Sequence, residues 1–251
     1  MKTMRVAALY DIHGNLPALE AVLAEIRDMG VDQIIVGGDV LPGPMPRETL
    51  DLLLGLDIPA QFIYGNGEIA VLESMAGHTP AKVPEAYRPI ITWNAGQLTA
   101  EHQRALANWP PTVHCTLDGV GDVLFCHATP QNPDDIFLAT TAEGPLLRLF
   151  AEVNVDLVVC GHTHMQFDRR IANTRVVNAG SVGMPFGRPG ADWLLLGSEV
   201  QLRHTSYDLS AAAERIRATA YPEAENFASK YVLQPPSETQ MLELFARAEL
   251  K

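Results

Sequence analysis

The sequence predicts an α/β protein organised on a parallel sheet, and two observations carry that expectation. Short apolar runs alternate with segments of helical periodicity through the first 64 residues, and each run stops at glycines or at a polar side chain. Consecutive strands joined through helices need crossover connections, which places them parallel. With 251 residues and 47% hydrophobic content, the chain can bury a sizeable core, and it reads as one domain over residues 1–251.

Residues 4–10 read as a buried strand. Residues 17–29 carry Leu19, Val22, Leu23 and Ile26 at helical spacing, with Asn15 as N-cap and Gly30 as stop. A strand over 33–36 ends in Gly37-Gly38-Asp39, a helix follows over 47–54, and a third strand over 61–64 ends in Gly65-Asn66-Gly67-Glu68. Residues 68–111 break this rhythm with helical patterns at 69–75, 87–94 and 100–109, punctuated by prolines. This excursion is either a cap facing a substrate or a set of helices packed on the sheet. Strands over 113–117 and 122–126 suggest a hairpin across 118–121, followed by a helix at 144–152 and a strand at 156–160. Short segments at 166–171, 175–178, 193–198 and 200–207 predict a second, mostly antiparallel sheet. The chain closes with helices within 208–251, at 210–219, 237–248 and around 223–231.

Composition narrows the function classes. Eighteen Lys and Arg against 30 Asp and Glu give a net charge of −12. That balance argues against a nucleic-acid polymer as partner, though a small phosphorylated substrate at a metal site stays open. No apolar stretch reaches the roughly 18 residues of a membrane span, and the N-terminus lacks a signal-peptide pattern. Cys115, Cys126 and Cys160 lack CxxC spacing and sit in apolar runs, which suggests buried free thiols in a reducing, cytoplasmic compartment.

Five apolar runs deliver Asp, Asn or His just past their carboxyl ends: Asp11-x-His13, Asp39, Asn66, His127 and His162-x-His164. That edge of an α/β sheet is where ligands bind. Residues two apart in an extended backbone share a side, so Asp11 and His13 could hold one ion between them. Oxygen and imidazole donors without cysteine suit Mn, Fe, Zn, Co or Ni. Seven side chains exceed one tetrahedral site and fit two sites sharing a carboxylate, with Asp39 the natural bridge. Two divalent ions would draw a phosphate and lower the pKa of a bridging water to give hydroxide near neutrality.

In order and in flanking glycines, DIH (11–13), GGD (37–39), GN (65–66), His127 and GHTH (161–164) resemble the calcineurin-like metallophosphoesterase family over residues 5–183. The DIHGN and NAGSVG forms look most like its small bacterial phosphodiesterase and diadenosine-tetraphosphatase-like branch. The resemblance implies a four-layer α/β/β/α sandwich with the metals at one edge of the sheets. It further implies one ion held by Asp11, His13, Asp39 and His164, and another by Asp39, Asn66, His127 and His162. The expected function is hydrolysis of a phosphodiester or nucleotide. A metal-stabilised interaction scaffold and a protein serine/threonine phosphatase are the alternatives.

One position departs from the family pattern. Many members have a histidine after the asparagine that protonates the leaving oxygen, and here Gly67 stands in its place. A positioned general acid is worth about 10²–10⁴-fold. Either another residue substitutes, with His78 and His102 as options, or the substrate's leaving group needs little protonation. Glu68 either orients a ligand or opens the next helix. Asn15 and Arg188 are weaker candidates for phosphate contacts, against a helix cap and a solvated loop arginine. Residues 178–190 read as a structural loop beside the site, and Trp93 and Tyr87 either stack on a base or belong to a core.

Overall fold

A computed structural model describes residues 3–250. The first five elements appear in the expected order: β1 (Val6–Leu9), α1 (Leu16–Met29), β2 (Gln33–Val36), α2 (Pro46–Leu54) and β3 (Ala60–Phe62). The Asn15 side chain accepts from the Ala18 N–H and starts α1, and Gly30, in the left-handed conformation at φ 63°, ends it. After β3 come α3 (Asn66–Met75), a 3-10 turn (Glu85–Tyr87), α4 (Arg88–Gln97) and α5 (Ala100–Ala107). Then follow β4 (Thr112–Leu117), β5 (Gly121–Cys126), α6 (Glu143–Phe150), β6 (Leu157–Cys160), β7 (Phe167–Ile171) and β8 (Thr174–Asn178). The chain continues through β9 (Ala191–Leu196), β10 (Val200–Thr205), α7 (Leu209–Arg217), α8 (Ala224–Phe227), a π-helical turn (Ala228–Leu233) and α9 (Glu238–Phe245).

The strands form two five-stranded sheets, ordered β10-β9-β1-β2-β3 and β4-β5-β6-β8-β7. β1, β2 and β3 run parallel, with Val6 beside Gln33 and Leu9 beside Val36. In the second sheet β5, β6 and β8 are parallel, while β4 and β7 are antiparallel edges. The expected second, mostly antiparallel sheet therefore needs correction, because β9 and β10 join the first sheet and β7 and β8 the second. The cause is visible in β9, ADWLLL, which is buried throughout. A strand apolar on both sides cannot form a half-exposed sheet, and its place beside β1 sets one face against the helices and the other against the second sheet.

Alternation along the strands separates the layers. Val6, Ala8, Tyr10, Ile35, Leu194 and Leu196 of the first sheet pack against Val123, Phe125, Val159 and Val177 of the second. The opposite side of the first sheet, with Ala7, Leu9, Ile34, Val36 and Trp193, meets α1, α2 and the helical excursion. On the outer side of the second sheet, Leu124, Val158 and Val176 meet Leu146 and Phe150 of α6. The result is a four-layer α/β/β/α sandwich. In the excursion Val71, Ile91 and Leu106 pack into the core over the first sheet, and residues of 80–91 line a cavity together with His13, Asp39 and Asn66. Cys126 and Cys160 are buried free thiols, but Cys115 is half-exposed. Among the described residues no helix is long and apolar enough to cross a membrane.

Candidate metal centre

The loops leaving β1, β2 and β6 share an unusual backbone. Asp11, His13, Asp39, His162 and His164 all have φ between 46° and 69°. Such a left-handed backbone costs a residue with a β-carbon about 1 kcal/mol or more. It persists here because the main chain is tied down: Asp11 N–H donates to Gly38 O (3.1 Å), His13 N–H to Asp39 O (3.0 Å) and Gly14 N–H to Val40 O (2.8 Å). The expectation that strand alternation puts Asp11 and His13 on one side is corrected, since β1 ends at Leu9. Left-handed residues on either side of Ile12, beyond the strand, turn both side chains to the same place.

Six of the seven side chains form two triads able to hold a metal ion, Asp11–His13–His164 and Asp39–His127–His162. Each triad takes residues from both sheets. Asp39 faces both triads, with Oδ2 3.9 Å from His13 Nε2 and Oδ1 3.5 Å from His127 Nε2. Asn66, the first residue of α3, puts its Oδ1 3.2 Å from His127 Nε2.

Hydrogen-bond accounting shows what these residues fit. His13 Nδ1 donates to Pro42 O (3.1 Å), His127 Nδ1 to Gly37 O (2.9 Å) and His164 Nδ1 to Met184 O (2.9 Å). In each neutral ring the Nε2 is then a lone pair directed into the centre. His13 Nε2 and His164 Nε2 lie 3.2 Å apart. Asp11 Oδ1, fully buried, has no hydrogen-bond partner, although Asp11 Oδ2 accepts from the His162 N–H at 2.8 Å. Buried acceptors normally have donors, and here acceptors face acceptors.

The charges follow the same geometry. Burial works against Asp11 ionising, but the flanking histidines, His164 foremost, hold it well below the usual carboxylate range. Burial and the nearby Asp11 push Asp39 up. Burial with His164 nearby lowers His13 to about 3, and burial with His127 nearby lowers His162 to about 3. Burial opposes a proton on His164 too, yet the Asp11 charge outweighs it and raises that imidazole. One proton on His164 cannot serve all the converging lone pairs, whereas divalent cations with nitrogen and oxygen preference can.

A supporting layer sets these groups. Glu68 is fully buried, and its carboxylate accepts from Asp39 N–H (2.8 Å), Leu41 N–H (3.1 Å) and Gly65 N–H (2.7 Å). Burial and Asp39 push it up to about 7 against those donors. Glu68 thus caps α3 and also joins the loops after β2 and β3. The 178–183 segment is the structural loop expected. Asn178 Nδ2 donates to Gly161 O (2.6 Å), and Ser181 Oγ donates to Asp11 O (2.7 Å). Gly67 donates its N–H to Asp39 Oδ1 at 2.7 Å.

Other candidates are not brought to the centre. Asn15 is completely buried; its oxygen caps α1, and its amide donates to Gly183 O at 2.8 Å. The structure shows it as a cap. Arg188 points instead to Asp192, 3.6 Å away. His102 is buried within the capping box of α5 and pairs with Asp51 at 2.9 Å. His78 lines a separate surface pocket with Trp93 and Pro222. What the sequence reading missed is a cavity of about 800 Å³ reaching the centre, walled on one side by Tyr221, Phe227 and Tyr231. Their aromatic character was the available signal, but helical segments far downstream gave no hint that they return to this edge.

Comparison with known proteins agrees with this architecture. Residues 4–198 match the model of the calcineurin-like phosphoesterase superfamily domain. The uncharacterised protein MJ0912 of Methanocaldococcus jannaschii is 26% identical over 87% of this chain and 94% of its own length. Phosphodiesterase YfcE of Escherichia coli K12 is 25% identical over 78% of this chain and 89% of its own. The crystal structure of a metallophosphoesterase from Sphaerobacter thermophilus superposes with a TM-score of 0.70 at 26% identity, covering 91% of this chain and 98% of that one. Fold, loop order and the two triads agree with the family match, and the chain belongs to the calcineurin-like phosphoesterase superfamily.

Proposed function

We propose that the chain hydrolyses phosphodiesters with two divalent ions drawn from Mn, Fe, Zn, Co or Ni. Asp11, His13, Asp39 and His164 would hold one ion and Asp39, Asn66, His127 and His162 the other. The observation that carries this reading is the convergence of histidine Nε2 lone pairs on an orphaned buried carboxylate oxygen, Asp11 Oδ1. When bound, two such ions supply Lewis acidity toward a phosphate and make a coordinated water acidic enough to attack near neutrality.

The chain's own residues do the positioning. Pro42, Gly37 and Met184 carbonyls orient three imidazoles, and Glu68 holds the backbone beneath Asp39 and Asn66. Gly67 has no side chain to act as an acid, and His78 and His102 lie elsewhere. Without a strong general acid, the reaction favours leaving oxygens that need little protonation. That supports diesters of acidic alcohols, and YfcE, a relative described as a phosphodiesterase, supports the same class. The acidic composition and three unpaired thiols support a cytoplasmic protein acting on small substrates.

The test is turnover by metal-stripped protein after adding back Mn, Ni or Zn, comparing a bis-aryl phosphodiester with the matching aryl monoester. Metal-dependent activity favouring the diester, abolished in Asp39→Asn and His127→Ala, is the expected result. No turnover with any metal, despite two bound ions per chain, would favour the scaffold instead.

A further inference from the structure

The cavity beside the centre, about 800 Å³, has the size of a small-molecule site. His13, Asp39, Asn66 and Gly67 form one end of it. The far wall is a run of aromatic rings. Tyr221 meets Phe227 edge-on at 6.2 Å, Phe227 meets Tyr231 at 5.7 Å, and Trp93 backs Tyr221 at 5.3 Å. Across from them stand Tyr87 and Ile90 of the helical excursion. Tyr87 is 60% exposed, a large ring left uncovered at the cavity. Tyr231 sits on the π-helical turn Ala228–Leu233, a backbone form that is rare and often found at functional sites.

The charges around this space are one-sided. Glu73, Asp134 and Glu223 line it. Among the described residues that line it, Lys82 is the one permanent cation, and Lys82 is already paired with Asp134. A chain of phosphates is held by clustered arginines and lysines. Here it would meet carboxylates, and a second phosphate would have no partner.

We propose that this cavity seats the retained alcohol of a phosphodiester, as a planar aromatic group against Tyr87 and Tyr231, with the buried rings of Tyr221 and Phe227 behind them. On this reading the acidic lining selects substrates with a single phosphodiester charge and turns away polyphosphates. The proposal rests on the phosphodiesterase reading above and narrows it. It also assigns specificity to residues beyond 198, where the family match ends.

The experiment uses two esters with the same leaving group, 4-nitrophenyl methyl phosphate and 4-nitrophenyl naphthyl phosphate, with diadenosine tetraphosphate as the polyphosphate. The naphthyl ester is expected to exceed the methyl ester about tenfold in kcat/KM, as aromatic stacking provides, and diadenosine tetraphosphate to be a poor substrate. In Tyr231→Ala and Tyr87→Ala the naphthyl-to-methyl ratio falls toward one, with thermal melts confirming the fold. Equal kcat/KM for the two esters in the wild type, or faster cleavage of diadenosine tetraphosphate than of either, would overturn the proposal. A second measurement is independent of turnover: 1-naphthol titrated into metal-free protein, followed by calorimetry. If no ester is cleaved with any metal, the phosphodiesterase reading fails and this titration decides for the cavity alone. Binding that is lost in Tyr231→Ala supports the aromatic seat, and no binding overturns it.

Discussion

A β-carbon on Gly67 would lie 2.0 Å from the carbonyl oxygen of Leu41. The position where many relatives carry a histidine is thus closed by the main chain, not merely lacking a side chain. Restoring the histidine should therefore not restore a proton donor. Gly67→His is expected to lose most diester turnover without gaining monoester activity. Overpacking of this kind costs roughly 1–3 kcal/mol, so the Tm should fall by about 2–12 °C. Monoesterase activity gained at an unchanged Tm would show that the Leu41 loop yields.

Glu68 concentrates three backbone N–H donors on one carboxylate, two of them on Oε2. Glu68→Gln replaces one oxygen with a donor facing a donor. Hydrogen bonds to charged groups contribute about 1.5–3 kcal/mol, and stranding a buried N–H adds about 1–3 kcal/mol. The variant is expected to lose several degrees of Tm and to bind metal about 10–100-fold more weakly, the usual scale for groups that orient ligands. Calorimetric titration with Mn and a thermal melt check this. Unchanged affinity would leave Glu68 as a helix cap alone.

Metal loading should stabilise the chain. At a free ion concentration 100 times the dissociation constant, binding to the native state contributes about 2.7 kcal/mol. Addition of Mn to stripped protein is expected to raise the Tm, with elemental analysis giving two ions per chain. His13→Ala should retain one ion and part of the shift. Asp39→Asn, which alters a group facing both triads, should weaken both sites. Two ions retained in Asp39→Asn would remove its shared role.

Away from the centre, Glu25 joins α1 to β10, accepting from Thr205 Oγ1 and Arg203 Nη2 at 2.6 Å each. Burial would raise its carboxyl, but these donors hold it below its ordinary value of 4.5. A folded-state value below the unfolded one stabilises the native state above the unfolded value, and that contribution is lost as pH falls through the folded one. The Tm gap between wild type and Glu25→Gln should therefore be largest near pH 7 and narrow below about pH 4.5. A gap constant from pH 7 to pH 3 would mean that the charge is not what Glu25 contributes.

Much of this was legible in the sequence, for identifiable reasons. Strand and helix positions followed from apolar periodicity and from local signals such as Asn15 and Gly30, whose roles depend on neighbours a few residues away. The candidate ligand residues stood out in the sequence because each follows closely on an apolar run. Pairing of β9 with β1 was not, since it depends on what covers each face of a strand some 180 residues downstream. The left-handed turns at Asp11 and His13 were hidden as well, because that backbone is uncommon even for Asp and His, which adopt it more readily than most residues. The aromatic wall at Tyr221–Tyr231 depends on how the last helices return, and helical periodicity carries no such information.

Each triad draws on both sheets, Asp11 and His13 with His164, and Asp39 with His127 and His162. Ions in these positions would act as rivets between two layers otherwise held by apolar packing and by contacts such as the Tyr10 hydroxyl on Val159 O. Metal occupancy then becomes a gauge of how well the layers are seated. A substitution deep in the interlayer, touching no ligand, would register as lost metal before it registered as lost fold.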